Sequence, residues 1–555
     1  MSKKEIVALL SKHVALKKQE IENLIEVPSN NNLGDYAFPC FILAGKLKKN
    51  PAEIAKDLAS KIKPSKNIEK TQAVNAYVNF FINKKLLAEQ VLKIDENFGK
   101  NRKKEKIILE HTSVNPNASP HVGRARNSII GDSIKRILEF QGHKVETRYY
   151  VNDVSKQVAM LALTFNSKDN FDNLLKKYIE ASKKITKDKK LEIKVFELLH
   201  KFEHKDKQVT MLFKKITEIA VEGQKKIFSK LGIKFDYFDY ESRYIDSARQ
   251  VLKELEQTNK LFQDKDKRLV LNQKGTGLDR SMKSPVLVLT RSDGTGLYPL
   301  RDLAYTIDKG KKGRNILVLG EDQKLYFEQL KQALILLKKP YPEVVHYSFV
   351  LLNEKGEKKK MSTRRGELVL LSEFLSEAEK KAKQEISKRK TKGNPEAIAI
   401  GAIKYSMLKN ENNKNIVFDW AQSLNFEGDS GPYLQYSYAR ASSILKKAKT
   451  KELKSKKSIK ISGKTKIPDL QPNEIKLIKK LAEFPNVAEK AYENFSPNII
   501  ANYSYELAQI FNEFYHSCKV IGSAEEQFRL KLVQSFRIVM KNCLSLLGIE
   551  ALEEM

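Results

Sequence analysis

An apolar run at 107–109 passes through turn formers into a helical pattern that starts near His121 and continues as GRARNSIIGDSIKRILEFQG. This stretch restricts the fold more than any other. A buried strand, a loop and then a helix N-terminus is how an open α/β sheet collects a nucleotide phosphate. The free backbone N–H groups and the positive end of the helix dipole both favour an anion there. Gly123 lets a ligand approach the backbone, His121 can donate to a phosphate, and Arg124 and Arg126 add positive charge.

Strands and helices keep alternating downstream. Residues 145–151 read as the next parallel strand, with Asn152-Asp153 at its C-terminal edge, where polar side chains line ligand crevices. Capping the following helix is the competing role for Asp153. RLVLNQ and PVLVLTRSDG read as strands, LYPLRDLAYTIDKG as a helix with Pro299 in its first turn, and NILVLGEDQKLYFEQLKQALILL as another strand–loop–helix. This alternation implies a parallel sheet covered on both faces.

Smaller regions flank that core. Residues 1–99 read as a small α+β domain, with a helix in KEIVALLSKHVALK, a helix start at Asn50-Pro51 and a strand at 76–83. A catalytic domain at 100–395 carries a lysine-rich helical insertion at 164–215. His200 and His204 in the insertion are four apart but lack an acidic or cysteine partner, so they read as a solvated face and not a metal site. Residues 396–555 show apolar positions at three- and four-residue spacing, the pattern of a helix bundle, broken by a Lys/Ser/Gly loop at 450–466.

Lys+Arg of 102 against Asp+Glu of 68 gives a net charge of +34, which suits a polyanionic partner; a lysine-biased composition accounts for it equally well. Cys40, Cys518 and Cys543 lie far apart without a CxxC, which argues for a reducing compartment and against zinc. The start of the chain does not read as a signal peptide, and no apolar run approaches membrane-spanning length. A soluble, cytoplasmic protein is expected.

Two further stretches carry chemistry. Tyr298 and Asp302 are four apart on one helix and share a face, and a carboxylate beside a tyrosine can accept a guanidinium bidentately. From spacing alone, pairing of Asp302 with Arg301 or a lysine is the alternative. KKKMSTRRGELV at 358–369 concentrates Lys358, Lys359, Lys360, Arg364 and Arg365 in what reads as an exposed basic turn.

EHTSVNPNASPHVGRARNSIIGDSIKRILE resembles the signature segment of class I aminoacyl-tRNA synthetases, and among them the arginyl-tRNA synthetases. Lys360-Met361-Ser362-Thr363-Arg364 resembles the KMSKS loop of the same class. The family usually has a second histidine where this chain has Arg124, which is longer and permanently charged. RSDGTGLYPLRDLAYTID resembles the arginyl substrate segment, LGDYAFP the extra N-terminal domain that contacts the outer corner of tRNA, and GDSGPYLQYSYAR the start of the anticodon-binding bundle.

The resemblance implies a class I, Rossmann-like catalytic domain between a small α+β domain and an all-α bundle. It implies an arginine–tRNA ligase that forms arginyl-adenylate from arginine and ATP and transfers arginine to the terminal adenosine of tRNA(Arg). His121, Gly123, Arg124, Lys360 and Ser362 are then catalytic, joined on ATP by Pro120, Met361 and Arg364. Glu110, Asn117, Tyr298, Asp302 and Gln323 hold arginine. Tyr433, Tyr436 and Arg440 contact tRNA, with bundle core as the other reading of the tyrosines. Mg²⁺ is expected on the ATP phosphates without a protein cage or zinc, and the chain is expected to act as a monomer. A class I synthetase for another amino acid and a non-catalytic RNA-binding relative remain open at this point.

Overall fold

The computed structural model describes residues 2–28, 30–117, 119–354, 357–360, 369–390, 392–455 and 466–555. Met361, Ser362 and Arg364 lie outside the described residues, as does most of the 450–466 loop. The chain divides into two compact units, one of residues 1–98, 441–485 and 507–540, the other of residues 99–440, 486–506 and 541–555.

The second unit holds a five-stranded parallel sheet. Its strands are β1 (Lys106–Glu110), β2 (Lys144–Val151), β3 (Tyr237–Tyr240), β4 (Arg314–Gly320) and β5 (Glu343–Tyr347), in the order β5-β4-β1-β2-β3. After the surface Lys106 every residue of β1 is buried, as expected for a central strand covered on both faces. The chain winds one way from β1 to β3 and the other way from β4 to β5. A crevice therefore opens beyond the C-terminal ends of β1 and β4. Helix α1 (Val122–Phe140) follows β1, α2 (Tyr298–Gly310) precedes β4, and α3 (Lys324–Leu336) follows it. A Cβ at Gly131 of α1 would lie 2.3 Å from the buried ring of His111, so only glycine permits this approach of helix to strand end.

The path of the next strands differs from the expectation. Leu269–Asn272 and Val286–Val288 are strands, but they pair antiparallel with each other in a separate sheet, in which Leu269–Asn272 also pairs with Leu261–Gln263. Between them the chain makes only a 3₁₀ turn at Leu278–Arg280, with no helix to carry it back for parallel pairing. Asp153 does not cap the next helix either. Ser155 caps Lys156–Ala162, accepting from the Val158 N–H at 3.3 Å, whereas Asp153 accepts from the Ser242 N–H at 2.9 Å and so joins the ends of β2 and β3.

The lysine-rich stretch has a core of its own. Phe171–Lys187, Lys189–Glu203 and Lys207–Lys230 pack with Lys156–Ala162 around Val158, Leu174, Val195, Phe213 and Ile216. His200 and His204 stack on each other at 4.1 Å, and no group of three or more His, Cys, Asp or Glu among the described residues could hold a metal.

Residues 546–553 are held within the sheet-bearing unit by polar contacts. Leu546 O accepts from Ser133 Oγ of α1 (2.8 Å), Gly548 O from Lys404 Nζ (2.6 Å) and Glu550 O from Gln435 Nε2 (3.0 Å). Lys404 is fully enclosed, and burial pulls its ammonium down to about 8 against the opposing pull of Asp132.

The first unit contains an antiparallel sheet of Tyr36–Pro39, Tyr77–Ile82 and Ile68–Val74. Asn50 caps Pro51–Lys61 through the Ala52 N–H at 2.8 Å, as its sequence requires. The helix expected across 4–17 ends at Leu10, and a second one, Lys18–Leu24, follows, which lets Val14 and Ile21 both face the core. The last four long helices are Gly431–Ser455, Pro472–Glu493, Pro497–Ser517 and Glu526–Leu546, so the described chain from 431 onward is all-α. No helix among the described residues is long and apolar enough to cross a membrane.

Candidate active site

The loop after β1 is fixed from three sides. The Thr112 N–H donates to Asn127 Oδ1 at 2.8 Å, and Asn127 Nδ2 reaches Val318 O of β4 at 3.1 Å. The Val114 N–H donates to the Tyr149 hydroxyl (3.0 Å), which donates to Gln224 Oε1 (2.7 Å), while Gln224 Nε2 donates to Asn115 O (2.9 Å). These bonds hold Thr112 and Ser113 at φ of +78° and +44°, a left-handed backbone costly for residues with a side chain. Asn117 projects half-buried from this loop, and Gln323, also half-buried, ends the turn that follows β4. Both thus lie beyond the two strand ends that bound the crevice.

At the nucleotide end, His121 is the residue before α1, extended in backbone and without a capping bond from its ring. Burial, with the Arg124 charge nearby, pushes the imidazole down to about 4, so it is neutral at physiological pH. Its Nδ1 is buried without a hydrogen-bond partner among the described residues. Gly123 and the half-buried Arg124 occupy the first turn. Pro120 O accepts from the Leu371 N–H (2.8 Å), and the Val122 N–H donates to Val369 O (3.1 Å).

Arg126 does not add charge to the crevice. Its side chain is fully buried, donating from Nη1 to Ser348 O and Lys414 O (both 2.7 Å) and from Nη2 to Glu411 O (3.1 Å). Two residues along a helix turn the side chain by roughly 200°, so Arg124 and Arg126 face opposite ways.

The second basic stretch begins on a hairpin. Val350–Glu354 pairs antiparallel with Glu357–Lys360 and parallel with Ile416–Phe418, and Lys360 is opposite Leu351. The chain leaves the described residues after Lys360 and returns at Val369, beside His121.

The other end of the crevice is acidic. Carboxylates around α2 are paired with cations of the chain, Glu203 and Asp308 among them. Glu110 pairs with the buried Lys309, Glu241 with Arg301 (2.5 Å) and Asp239 with Arg148 (3.1 Å). Asp302 has no ion-pair partner among the described residues, because Arg301 and Lys309 are each committed to another acid. Its Oδ2 accepts from the Tyr326 hydroxyl at 2.5 Å, and the Tyr298 ring, half-exposed, packs 5.2 Å from that of Tyr326. Burial pushes the Asp302 carboxyl up to about 6, helped by the Glu110 charge and opposed by the Tyr326 hydrogen bond. Tyr150 of β2 stacks on Tyr305 at 4.4 Å, and its hydroxyl is buried without a partner among the described residues. Tyr326, Lys309 and Tyr150 were not singled out from the sequence. Each lies in an ordinary amphipathic pattern, and nothing local marks it.

On Gly431–Ser455, Tyr433, Tyr436 and Arg440 are all half-buried and share one face. Arg440 Nη2 donates to the Tyr436 hydroxyl at 3.1 Å with its guanidinium over that ring, whereas the tyrosine lost to the core is Tyr438.

Comparison with known proteins matches every part of the chain. Residues 87–420 match the family described as tRNA synthetases class I (R), catalytic domain; 434–555 match the DALR anticodon binding domain, and 2–82 the arginyl tRNA synthetase N terminal domain. The arginine–tRNA ligase of Methanocaldococcus jannaschii is 38% identical over 96% of this chain and 95% of its own. That of Methanococcus maripaludis strain C7 is 36% identical over 98% of each. The arginyl-tRNA synthetase structure from Thermus thermophilus superposes with a TM-score of 0.81 at 26% identity, covering 100% of this chain and 99% of that one.

Proposed function

The chain belongs to the arginyl-tRNA synthetases of class I and is an ATP-dependent arginine–tRNA ligase; we propose that its guanidinium pocket is built on Asp302. The observation that carries this reading is the cancellation of charge around α2, which leaves Asp302 without an ion-pair partner among the described residues. A substrate guanidinium supplies that cation through two parallel N–H donors. Tyr298 covers the guanidinium face, and Asn117 and Gln323 hold the amino-acid end. Glu110, half-neutralised by Lys309, accepts from the substrate ammonium.

ATP lies at the start of α1. Neutral His121 donates to phosphate oxygen, Gly123 admits the nucleotide to the backbone beside Pro120, and Arg124 supplies charge. Lys360, Met361, Ser362 and Arg364 also bind ATP. The arginine carboxylate attacks the α-phosphorus in line and expels pyrophosphate. The terminal adenosine hydroxyl of tRNA(Arg) then takes the arginyl group and AMP leaves. Positioning and charge neutralisation are the work of these side chains. Mg²⁺ enters on the ATP phosphates and adds positive charge there; the donor set around His121, of imidazole and cationic groups, suits phosphate and not a metal cage. Residues 1–99 and 396–555 serve as tRNA-contacting modules flanking a catalytic domain at 100–395, with Tyr433, Tyr436 and Arg440 presented to unpaired bases. The enzyme acts as a cytoplasmic monomer.

The test is aminoacylation of total tRNA with ATP, Mg²⁺ and each amino acid in turn. Arginine alone should be charged, and Asp302→Ala should lower kcat/KM for arginine on the order of 10³-fold. Charging with a different amino acid would remove the guanidinium assignment. Retained tRNA binding with no charging at all would locate the fault at Arg124 and leave an RNA-binding role.

A further inference from the structure

We propose that Arg126 is a positioning residue for the ATP half of the reaction, locking α1 to the base of the hairpin that carries Lys360. This rests on the reading of the 358–364 segment as an ATP-binding element. Arg126 is 0% exposed and has no carboxylate within ion-pair distance among the described residues. A buried cation without a counter-ion is expensive unless it is fully hydrogen-bonded. Here Ser348 O, Glu411 O and Lys414 O solvate the two terminal nitrogens, while Nε is buried without a partner among the described residues, so the three carbonyls carry the whole of that burden. Burial pulls the guanidinium down to about 10, which leaves it charged at neutral pH.

What it grips matters more than the grip. The Ser348 N–H donates to Asn412 O (2.9 Å), its hydroxyl to Asn413 O (2.7 Å), and the Phe349 N–H to Asn415 Oδ1 (3.0 Å). Residues 348–349 and 411–415 are thereby one body, centred on the guanidinium. The strands Val350–Glu354 and Ile416–Phe418 leave that body side by side, and Glu357–Lys360 pairs on the first of them. On the far flank, Val369 and Leu371 are bonded to Val122 and Pro120 at the head of α1. The chain therefore departs at Lys360 and returns at Val369 with both flanks fixed to the helix that carries His121. An apolar side chain would fill the same space, and a lysine would keep the charge, but neither can span three carbonyls from two segments.

The experiment is ATP–pyrophosphate exchange in the full-length protein with tRNA present, varying ATP and arginine separately, alongside thermal melting. Arg126→Lys should lower kcat for exchange on the order of tenfold to a hundredfold, with the KM for arginine within about twofold of wild type. Because Arg126 acts through the hairpin, adding Lys360→Ala to it should cost much less than the product of the two single losses. Unchanged kcat with a lower melting temperature would overturn the proposal, as would full additivity. If Arg126→Lys does not fold, Asn415→Ala, which removes the Phe349 N–H bond that joins the two segments, decides: a smaller loss of exchange supports the coupling, and none overturns it. Lys360→Ala alone isolates the underlying reading, since normal exchange in that variant would show that the 358–364 segment does not hold ATP.

Discussion

The two ends of the crevice solve the problem of holding a charged substrate in opposite ways. Around α2, acids and bases of the chain cancel one another pair by pair, and on the proposed reading selectivity comes from Asp302, the carboxylate left without an ion-pair partner among the described residues. At the head of α1 no such cancellation occurs: the imidazole is neutral, Arg124 sits half-buried in the first turn, and Arg126 turns away to grip main-chain carbonyls. On the proposed reading one end selects its ligand by a missing cation, and the other by position together with the charge of Arg124.

The sharpest way to break this contrast is to compare Asp302→Asn with His121→Asn. The first removes the leftover charge while keeping the shape, and should raise KM for arginine on the order of a hundredfold or more with KM for ATP unchanged. The second should lower kcat about 10²-fold with KM for arginine unchanged. Steady-state kinetics in both substrates distinguishes the two, and similar profiles for both variants would erase the distinction between the ends.

Tyr326→Phe probes the acidic end more gently. Loss of its hydroxyl bond to Asp302 should move the carboxyl above its present value of about 6. A carboxyl raised in the folded state binds its proton more tightly there than in the unfolded chain. The unliganded protein thus loses stability as pH rises from the ordinary carboxylate range through about 6. Arginine needs the ionised form, so its binding near pH 6 should release a proton, seen as a buffer-dependent heat in calorimetry. In Tyr326→Phe the fall in kcat/KM for arginine should begin at higher pH, with a loss at pH 7 of roughly fivefold. A profile identical to wild type would show that Tyr326 does not set this ionisation. The smallest effect is expected for Arg124→His, which keeps a donor at the first turn of α1; KM for ATP should shift by only about two- to fivefold.

Much of the fold was legible because its signals are local. β1, its loop and α1 are contiguous, and so are Tyr298 and Asp302 on α2, whose shared face follows from helical spacing. What could not be read depends on distant partners. Lys309 and Glu110 are 199 residues apart, and no pattern around either announces the pair. Arg126 looked like a second phosphate ligand because it follows Arg124 in a basic stretch; the carbonyls that claim it lie 222 to 288 residues away. Tyr326 is one of 21 tyrosines, in a helix whose apolar spacing needs no special explanation. The antiparallel pairing of Leu269–Asn272 was missed for a related reason. Strand composition says that a segment pairs, and only the path of the connection says in which direction.

The bond from Ser133 in α1 to Leu546 spans 413 residues. A ribosome adding about 5–20 residues per second delivers Leu546 roughly 20–80 s after Ser133. Through that interval α1 waits without one of its supports. Lys404 and Gln435, both made before their acceptors at Gly548 and Glu550, wait likewise. A polypeptide released early, before residue 546, would carry every signature motif and still lack these supports. Synthesis of residues 546–550 thus completes the supports of an enzyme that itself serves translation.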